Sequence, residues 1–438
     1  MRIVQLTPGA GGMFCGNCLR DNALVAALRR QGHEVTMLPL YLPLKTDEPD
    51  QSLGKPVFFG GINVYLEQQS ALFRRLPRWL HRLLDSPRLL RWVGTAAART
   101  RPEDVGELTV SMLRGELGHQ RREIDELVAW LRDHERPEVI SLSNALLAGC
   151  ARQLKRELGA RLVITLQGEE AFLDALPPRE REAAWNLVAE RVAEADVLVT
   201  PSHYYARRLA QRLHLPESRF HVVPNGIQLA GWEVAPSPPQ PPRIGFLARM
   251  CQEKGLDLLV DAFLDLRRRG RVPGTRLAVA GSLGPSDEAF VTEQKRKLQA
   301  AGLLGETEFH PNLDHPAKQR FLRDLTVFSV PAHYGEAFGL YLVEAMAAGV
   351  PIVQPDTGAF PEILADSGAG ILCRAHDAAD LSQRLEQVLV QPELAARLST
   401  AGRRAAEERY HSDASARAFA ALLVPRTAVP STPAPTAG

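Results

Sequence analysis

Short apolar runs alternate with longer segments of helical periodicity along most of the chain. The runs are rich in Val, Ile and Leu, a composition that favours strands. In the first half they fall at residues 2–7, 34–40, 139–142, 162–166, 197–200 and 221–224. In the second half they fall at residues 243–248, 276–281, 307–311, 326–331 and 351–355. Apolar residues at helical spacing predict helices between them, for example over residues 18–30, 121–133 and 339–348.

The run VAPSPPQPP at residues 234–242 interrupts this alternation. Proline at that density is incompatible with a helix or a central strand, so we interpret the run as a linker. Continuous apolar strands separated by helices indicate parallel sheets that helices cover on both faces. The sequence therefore predicts the α/β class, with two doubly wound, Rossmann-like domains facing a cleft. Ligands of such sheets bind at the carboxyl ends of the strands, so we expect the site in that cleft.

The predicted domains are residues 1–233 and 243–405, on either side of the linker. We expect residues 406–424 to form a C-terminal helix that crosses back to the first domain. The Pro/Thr/Ala-rich residues 425–438 have the composition of a disordered tail.

The overall composition changes this picture little. Of 438 residues, 45% are hydrophobic and 24% charged, as is typical of globular proteins. Lys and Arg number 52 against 51 Asp and Glu, so no overall field favours nucleic acid. The amino terminus lacks the apolar core of a signal peptide, and no run approaches the roughly 18 apolar residues of a membrane span. The five scattered cysteines indicate a reducing compartment, which predicts a cytoplasmic protein.

Two carboxylates flank the start of a predicted helix in PAHYGEAFGLYLVEAMAAGVP, residues 331–351. Glu336 lies in the loop after a strand, Gly339 opens the helix, and Glu344 lies more than one turn into it. The free N–H groups of a helix start bind anions, so the arrangement suits a ligand with hydroxyls on both sides of a phosphate. A nucleotide sugar has that shape. The alternative is that Glu344 only solvates the helix surface.

Two cations follow the first strand of the second domain. Arg249 and Lys254 precede a helical run that Gly255 opens. An arginine clamps phosphate with two N–H groups and a lysine adds a point charge, so the pair suits the neutralisation of a departing diphosphate. We find no compact Asp-x-Asp pair that would hold magnesium, and we expect no cofactor. A solvated charge cluster is the alternative interpretation.

Several motifs together resemble those of the family 4 glycosyltransferases, which have the GT-B fold. The first is the spacing of Glu336 and Glu344 around EAFGL. The others are ARMCQEKG at 248–255, VVPNGI at 222–227, VTPSHYYARRL at 199–209, DTGAFPEIL at 356–364 and RRQGHEVTMLPLY at 29–41. They follow one another in the expected order over most of the chain.

This resemblance implies that the second domain binds a nucleotide diphosphate sugar and the first binds the acceptor. It assigns Arg249 and Lys254 to the diphosphate, Glu344 to the ribose and Glu336 to the transferred sugar. Glu336, Arg249 and Lys254 are thus the predicted catalytic residues. The other predicted donor contacts are Gly281, Phe338, Gly339 and Leu340. The resemblance further implies a retaining, metal-independent reaction between a UDP- or GDP-sugar and a sugar, lipid-linked or small-molecule acceptor.

The loop TPGAGGMFCGNC, residues 7–18, follows the first strand of the first domain. Family members place such a loop against the donor phosphates and the acceptor, which the resemblance carries over to Gly11 and Gly12. Cys15 and Cys18 have metal or redox spacing. A zinc site needs four ligands and no second pair stands nearby, so we interpret these cysteines as packing residues.

The chain departs from the family where many relatives carry histidines, after the third and fourth strands of the first domain. The sequence there is VISLSNALLAG at 139–149 and VITLQGEEAF at 163–172. Asn144, Gln167 and Glu169 are the predicted sugar or acceptor contacts, since amides and carboxylates hydrogen-bond hydroxyls. Besides a hexosyltransferase-type enzyme, a non-catalytic nucleotide-sugar-binding protein and a GT-B nucleotide-sugar epimerase remain alternatives.

A basic amphipathic stretch, ALFRRLPRWLHRLLDSPRLLRWV, covers residues 71–93. Leucines lie on one helical face and arginines on the other, a pattern typical of segments that bind anionic membranes. It predicts peripheral contact with the inner face of the membrane. The alternative is that the apolar face packs on its own domain.

Overall fold

The computed structural model describes residues 1–9, 16–46, 48–59 and 105–424. Within these ranges, the first domain contains six strands: β1 Arg2–Thr7, β2 Glu34–Pro39, β3 Val139–Leu142, β4 Arg161–Thr165, β5 Val197–Thr200 and β6 Phe220–Val222. They form one sheet in the order β2-β1-β3-β4-β5-β6, and all neighbouring strands are parallel.

Helices cover both faces of this sheet. They are α1 Gly16–Arg30, α2 Gly106–Arg114, α3 Arg121–Trp130, α4 Ala151–Leu158, α5 Glu170–Leu173, α6 Pro178–Ala193 and α7 His203–Leu213. Successive strand residues point to opposite faces. Ile3 therefore joins a buried cluster with residues of α1, whereas Val4 joins a second cluster on the other face with Trp185 of α6.

The second domain repeats this plan. Its strands are β7 Arg243–Leu247, β8 Arg276–Gly281, β9 Thr307–Pro311, β10 Val327–Phe328, β11 Ile352–Pro355 and β12 Gly370–Cys373. They form a parallel sheet in the order β12-β11-β10-β7-β8-β9. Its helices are α8 Leu256–Arg269, α9 Glu288–Ala300, α10 His315–Arg323, α11 Leu340–Ala347, α12 Phe360–Ser367, α13 Ala378–Val390 and α14 Pro392–Glu408.

The last described helix, α15 Ser412–Leu423, packs against α1 of the first domain. Phe419 lies in the same buried cluster as Val25 and Leu28 of α1. Arg30 of α1 forms an ion pair with Asp413 at 2.7 Å. The helix before it, α14, packs against α11 of the second domain. The last two described helices therefore contact both domains.

The predicted α/β class with two Rossmann-like domains is confirmed. Two details of the strand prediction were wrong. The run at 326–331 forms only the short strand β10, because the backbone beyond it turns into the loop that carries Glu336. The edge strand β12 was not predicted, since its apolar run is short and follows glycine-rich sequence. Residues 234–242 contain no helix or strand, and residues 425–438 lie outside the described ranges.

Candidate functional site

A cavity of about 260 Å³ lies between the two domains, at the carboxyl ends of their strands. From the second domain, the loops after β7, β8 and β9 and the start of α11 line it. From the first domain, α1 and the segments after β2 and β6 line it. Ligands of parallel sheets bind at this edge, so the cavity is the candidate site.

One face of α1 forms the first-domain wall of the cavity. Gly16, Leu19 and Arg20 line it, at a spacing that places them on one side of the helix. The buried Arg20 donates through Nη2 to the Ser143 carbonyl at 2.9 Å and lies 2.7 Å from Asp21 Oδ1. Burial raises the pKa of the Asp21 carboxyl, and the charge of Arg20 opposes that shift only in part. The guanidinium of Arg20 is thus fixed in this wall by the Ser143 carbonyl and the Asp21 carboxyl.

The loop after β7 and the end of β8 bring Arg249 and Gly281 to the second-domain wall of the cavity. Gly281 has a φ of 138°, and a Cβ there would lie 1.7 Å from the Ala248 carbonyl oxygen, so only glycine fits. Arg249 donates to Asp287 in a fork, from Nε to Oδ2 at 2.8 Å and from Nη2 to Oδ1 at 2.9 Å. These hydrogen bonds raise the pKa of Arg249. Its side chain remains 54% exposed, so the guanidinium is accessible to a ligand.

Glu344 of α11 lines the cavity next to Lys318 of α10. Lys318 Nζ donates to Glu344 Oε1 at 2.7 Å, and both side chains are largely buried. Burial of a charged pair favours a fixed geometry, because each charge needs the other in a low-dielectric environment. Glu344 is therefore an oriented carboxylate in the wall of the cavity, not a solvated surface residue.

Glu336 and Lys254 lie next to the cavity without lining it. The two side chains form an ion pair in which Lys254 Nζ donates to Glu336 Oε1. Tyr334 and Tyr341 donate to the same oxygen, each at 3.1 Å, and Tyr341 also lines the cavity. Burial lowers the pKa of Lys254, but the Glu336 carboxylate outweighs it and the pKa is raised overall. Lys254 therefore keeps its charge beside the Glu336 carboxyl group.

The other predicted donor contacts differ in their surroundings. Gly339 precedes α11 with a φ of 89°, and Leu340, the first residue of the helix, lines the cavity. Phe338 is buried, with its ring 6.1 Å from that of Tyr410, and belongs to the core of the second domain. Of this group, Leu340 reaches the cavity and Phe338 does not.

Gln167 lines a small second cavity that shares Arg20 with the main one. Its side chain accepts a hydrogen bond from Asn225 Nδ2 at 3.0 Å. The predicted loop residues Gly11 and Gly12 lie outside the described residues.

Asn144 and Glu169 are engaged by neighbouring groups and do not line the main cavity. Asn144 accepts from the Leu146 N–H at 3.0 Å and so begins a helical turn. The buried Glu169 accepts from the Ala145 N–H at 2.9 Å and from the Tyr205 hydroxyl at 2.7 Å. Burial raises the pKa of Glu169, and these hydrogen bonds lower it in part. The described contacts of Asn144 and Glu169 therefore hold the local structure of the first domain.

Within the described ranges, no group of three or more His, Cys, Asp or Glu side chains is arranged to hold a metal ion. In the same part of the chain, none of the helices combines the length and apolar character needed to cross a membrane. Cys18 is buried, with Sγ 4.0 Å from the Thr7 hydroxyl. Cys15 and the amphipathic residues 71–93 lie outside the described residues.

Five residues of the site were not predicted: Arg20, Asp287, Lys318, Tyr334 and Tyr341. The two tyrosines had a local signal, since both stand within five residues of Glu336 in the same motif. The other three come from separate segments, and no sequence pattern marks them as residues of the site.

Two family models match the chain. Residues 233–405 match the model described as "Glycosyl transferases group 1", and residues 98–230 match "Glycosyltransferase Family 4". The chain is similar to glycogen synthase of Mycobacterium tuberculosis, at 30% identity over 64% of this chain and 65% of that protein. It is also similar to phosphatidyl-myo-inositol mannosyltransferase of Mycobacterium leprae, at 35% identity over 41% and 47% of the two chains. The chain therefore spans less than two thirds of the length of these relatives.

Solved structures share the fold. Sucrose-phosphate synthase from Thermosynechococcus elongatus superimposes with a TM-score of 0.69 at 19% identity, over 96% of this chain and 97% of that one. Anabaena HepE in complex with UDP-glucose superimposes with a TM-score of 0.65 at 15% identity, over 96% and 98% of the chains. At these identities the likeness concerns the fold alone.

Proposed function

The chain belongs to the family 4 glycosyltransferases of the GT-B fold, and from this premise we propose that it transfers a sugar from a nucleotide diphosphate sugar to an acceptor. The reaction proceeds with retention at the anomeric carbon and needs no metal. The observation that carries the proposal is the composition of the wall of the second domain. An accessible guanidinium, a helix start and an oriented carboxylate line the cavity together, at Arg249, Leu340 and Glu344.

The proposed chemistry follows from these charges. As the sugar leaves, the diphosphate gains negative charge while the sugar ring gains positive charge. Arg249, Lys254 and the N–H groups at the start of α11 stabilise the diphosphate, since fixed positive groups in a closed cleft stabilise developing charge. Glu336 stabilises the ring, and Glu344 binds the ribose hydroxyls. The cations take the place that a metal ion holds in other transferases.

The donor in this proposal is a UDP- or GDP-sugar. The structure of Anabaena HepE with UDP-glucose supports a nucleotide sugar, since that protein shares the fold. The acceptor is a sugar, a lipid-linked molecule or a small molecule, and relatives named as acting on phosphatidyl-myo-inositol and on D-inositol 3-phosphate support the last two. We further propose that the protein is cytoplasmic and contacts the membrane peripherally through residues 71–93.

A panel of nucleotide sugars tests this function. UDP-glucose, UDP-galactose, UDP-N-acetylglucosamine, ADP-glucose and GDP-mannose are compared for thermal stabilisation of the protein, and each is then assayed for release of the nucleotide diphosphate. We expect one donor to stabilise the protein most and to be turned over. Stabilisation without turnover would indicate the binding-protein alternative. Conversion of the donor sugar into its epimer without an acceptor would indicate the epimerase.

A further inference from the structure

Three donors converge on a single oxygen of Glu336. Lys254 Nζ, the Tyr334 hydroxyl and the Tyr341 hydroxyl all donate to Oε1, the tyrosines at 3.1 Å each. Within residues 1–9, 16–46, 48–59 and 105–424, the second oxygen, Oε2, accepts no hydrogen bond. The side chain keeps 11% of its surface exposed. The carboxylate is therefore held by one oxygen, and the other remains available.

From this geometry we propose that Tyr334 and Tyr341 are positioning residues for the transfer reaction, which fix Glu336 as an oriented anion with Oε2 turned to the transferred sugar. This inference rests on the proposed function, in which Glu336 stabilises positive charge on the sugar ring. A carboxylate that is fixed before the reaction stabilises that charge without reorganising during it. Two rigid phenols restrict the carboxylate more than a lysine alone, whose side chain has several rotatable bonds.

The two tyrosines differ in what else they hold. The Tyr334 hydroxyl also accepts from Lys254 Nζ, and the ammonium lies 5.0 Å from the Tyr334 ring centre. Loss of the Tyr334 hydroxyl therefore disturbs both the carboxylate and a proposed diphosphate ligand. The Tyr341 hydroxyl donates only to Glu336 among its described hydrogen bonds. Its ring packs near Phe328 and Phe360 and its centre lies 6.0 Å from the Lys254 ammonium, and these contacts survive removal of the hydroxyl.

Tyr341→Phe is the decisive variant. With the donor that the wild-type protein turns over fastest, and UDP-glucose as the first probe, we expect kcat to fall about 10- to 100-fold. That is the rate equivalent of one hydrogen bond to a charged group. The affinity for UDP, which carries no sugar, should stay within about twofold of wild type. Tyr334→Phe should lower both kcat and UDP affinity, since it also frees Lys254.

Tyr410→Phe is the matched control. Tyr410 is buried and donates to the carboxylate of Asp366 at 2.8 Å, so the variant removes the same kind of hydrogen bond away from Glu336. Its kcat should equal that of the wild type.

A second test combines Tyr341→Phe with Glu336→Gln. Since the amide of Gln is neutral, the added effect of Tyr341→Phe on kcat should shrink in that background.

The outcomes separate the two proposals. A wild-type protein that turns over none of the nucleotide sugars would overturn the proposed function. Turnover that needs Glu336 but is unchanged in Tyr341→Phe would overturn the positioning role alone. A loss of kcat that is the same in the Glu336→Gln background would also overturn it, because Tyr341 would then act on another group.

Discussion

Glu336 and Glu344 have different surroundings although only seven residues separate them. Glu344 lines the cavity, and one of its carboxylate oxygens accepts a hydrogen bond from Lys318. The carboxylate is therefore oriented before any ligand enters. Glu336 lies next to the cavity inside a cluster of one ammonium and two phenols. Under the proposed function, a carboxylate that binds the ribose acts equally on the ground and transition states of the donor. A carboxylate beside the sugar gains strength as positive charge develops.

The two glutamates should therefore separate in kinetics. We expect Glu344→Gln, which can still accept from Lys318, to raise the KM for the donor with little change in kcat. Glu336→Gln should lower kcat by a factor that corresponds to about 1.5–3 kcal/mol. Steady-state release of UDP from UDP-glucose, or from the preferred donor, measures both effects. Full kcat in Glu336→Gln would mean that its charge plays no part in the reaction.

Arg249 is expected to bind the diphosphate. Arg249→Ala should weaken UDP binding by about 1.5–3 kcal/mol, the cost of a lost charge-assisted contact. Its half-exposed side chain carries little of the fold, so the unfolding temperature should change little. Arg243→Ala is the matched control, since Arg243 pairs with Glu308 at 2.6 Å on strands of the same sheet and does not line the cavity. Calorimetric titration with UDP compares the two. Equal affinities in both variants would contradict a role for Arg249 at the diphosphate.

At the scale of elements, the loop between β10 and α11 is held from the first domain. The Ser202 hydroxyl, just before α7, donates to the Ala337 carbonyl at 2.7 Å. Glu362 of α12 accepts from the His203 N–H at 2.9 Å and from the Tyr204 N–H at 2.8 Å. A carboxylate at these N–H groups caps α7 and complements its dipole. These contacts thus join the first domain both to the loop that carries Glu336 and to α12 of the second domain.

Loss of the Glu362 cap should loosen the domain interface. We expect Glu362→Ala to destabilise the protein by about 0.5–2 kcal/mol, a typical value for a helix cap. It should also increase the radius of gyration in small-angle X-ray scattering, because the contact joins two domains. Asp377→Ala is the control, since Asp377 caps α13 within one domain by accepting from the Asp380 N–H at 2.9 Å. A radius of gyration that is the same in both variants would show that the cap does not hold the domains together.

At the scale of the whole molecule, the last helix joins the two halves of the chain. α15 buries Phe419 and Leu423 in the cluster that covers one face of the first sheet. The ion pair between Arg30 and Asp413 on the same contact is roughly half exposed at both ends. Apolar burial stabilises such a contact far more than an exposed ion pair, which contributes about 0–1 kcal/mol.

Two substitutions on this contact should differ in effect. Phe419→Ala should destabilise the protein by about 3–5 kcal/mol, since it leaves a cavity in a packed core. Arg30→Ala should cost at most about 1 kcal/mol. Because a two-domain protein need not unfold in one step, unfolding is best followed by urea titration with several probes. Similar losses in the two variants would indicate that the ion pair contributes as much as the apolar contact.

Most of the fold could be predicted from the sequence. Strands buried on both faces are continuous apolar runs and helices repeat at a different period, so each element reveals itself within its own residues. The edge strand β12 was missed because it is short, and β10 proved shorter than its apolar run. The motif from 331 to 351 likewise gave the loop, the glycine and the helix that carry Glu336 and Glu344.

The sequence by itself determined the two-sheet architecture, the place of the cleft and the residue types on the wall of the second domain, because periodicity and local motifs act over a few residues. Only the tertiary structure decided which partners those residues meet. Lys318 reaches Glu344 from another helix, and Ser202 reaches Ala337 from the other domain. Such contacts depend on strand order and helix packing, which bring residues that are distant in sequence together, and no local pattern encodes that proximity.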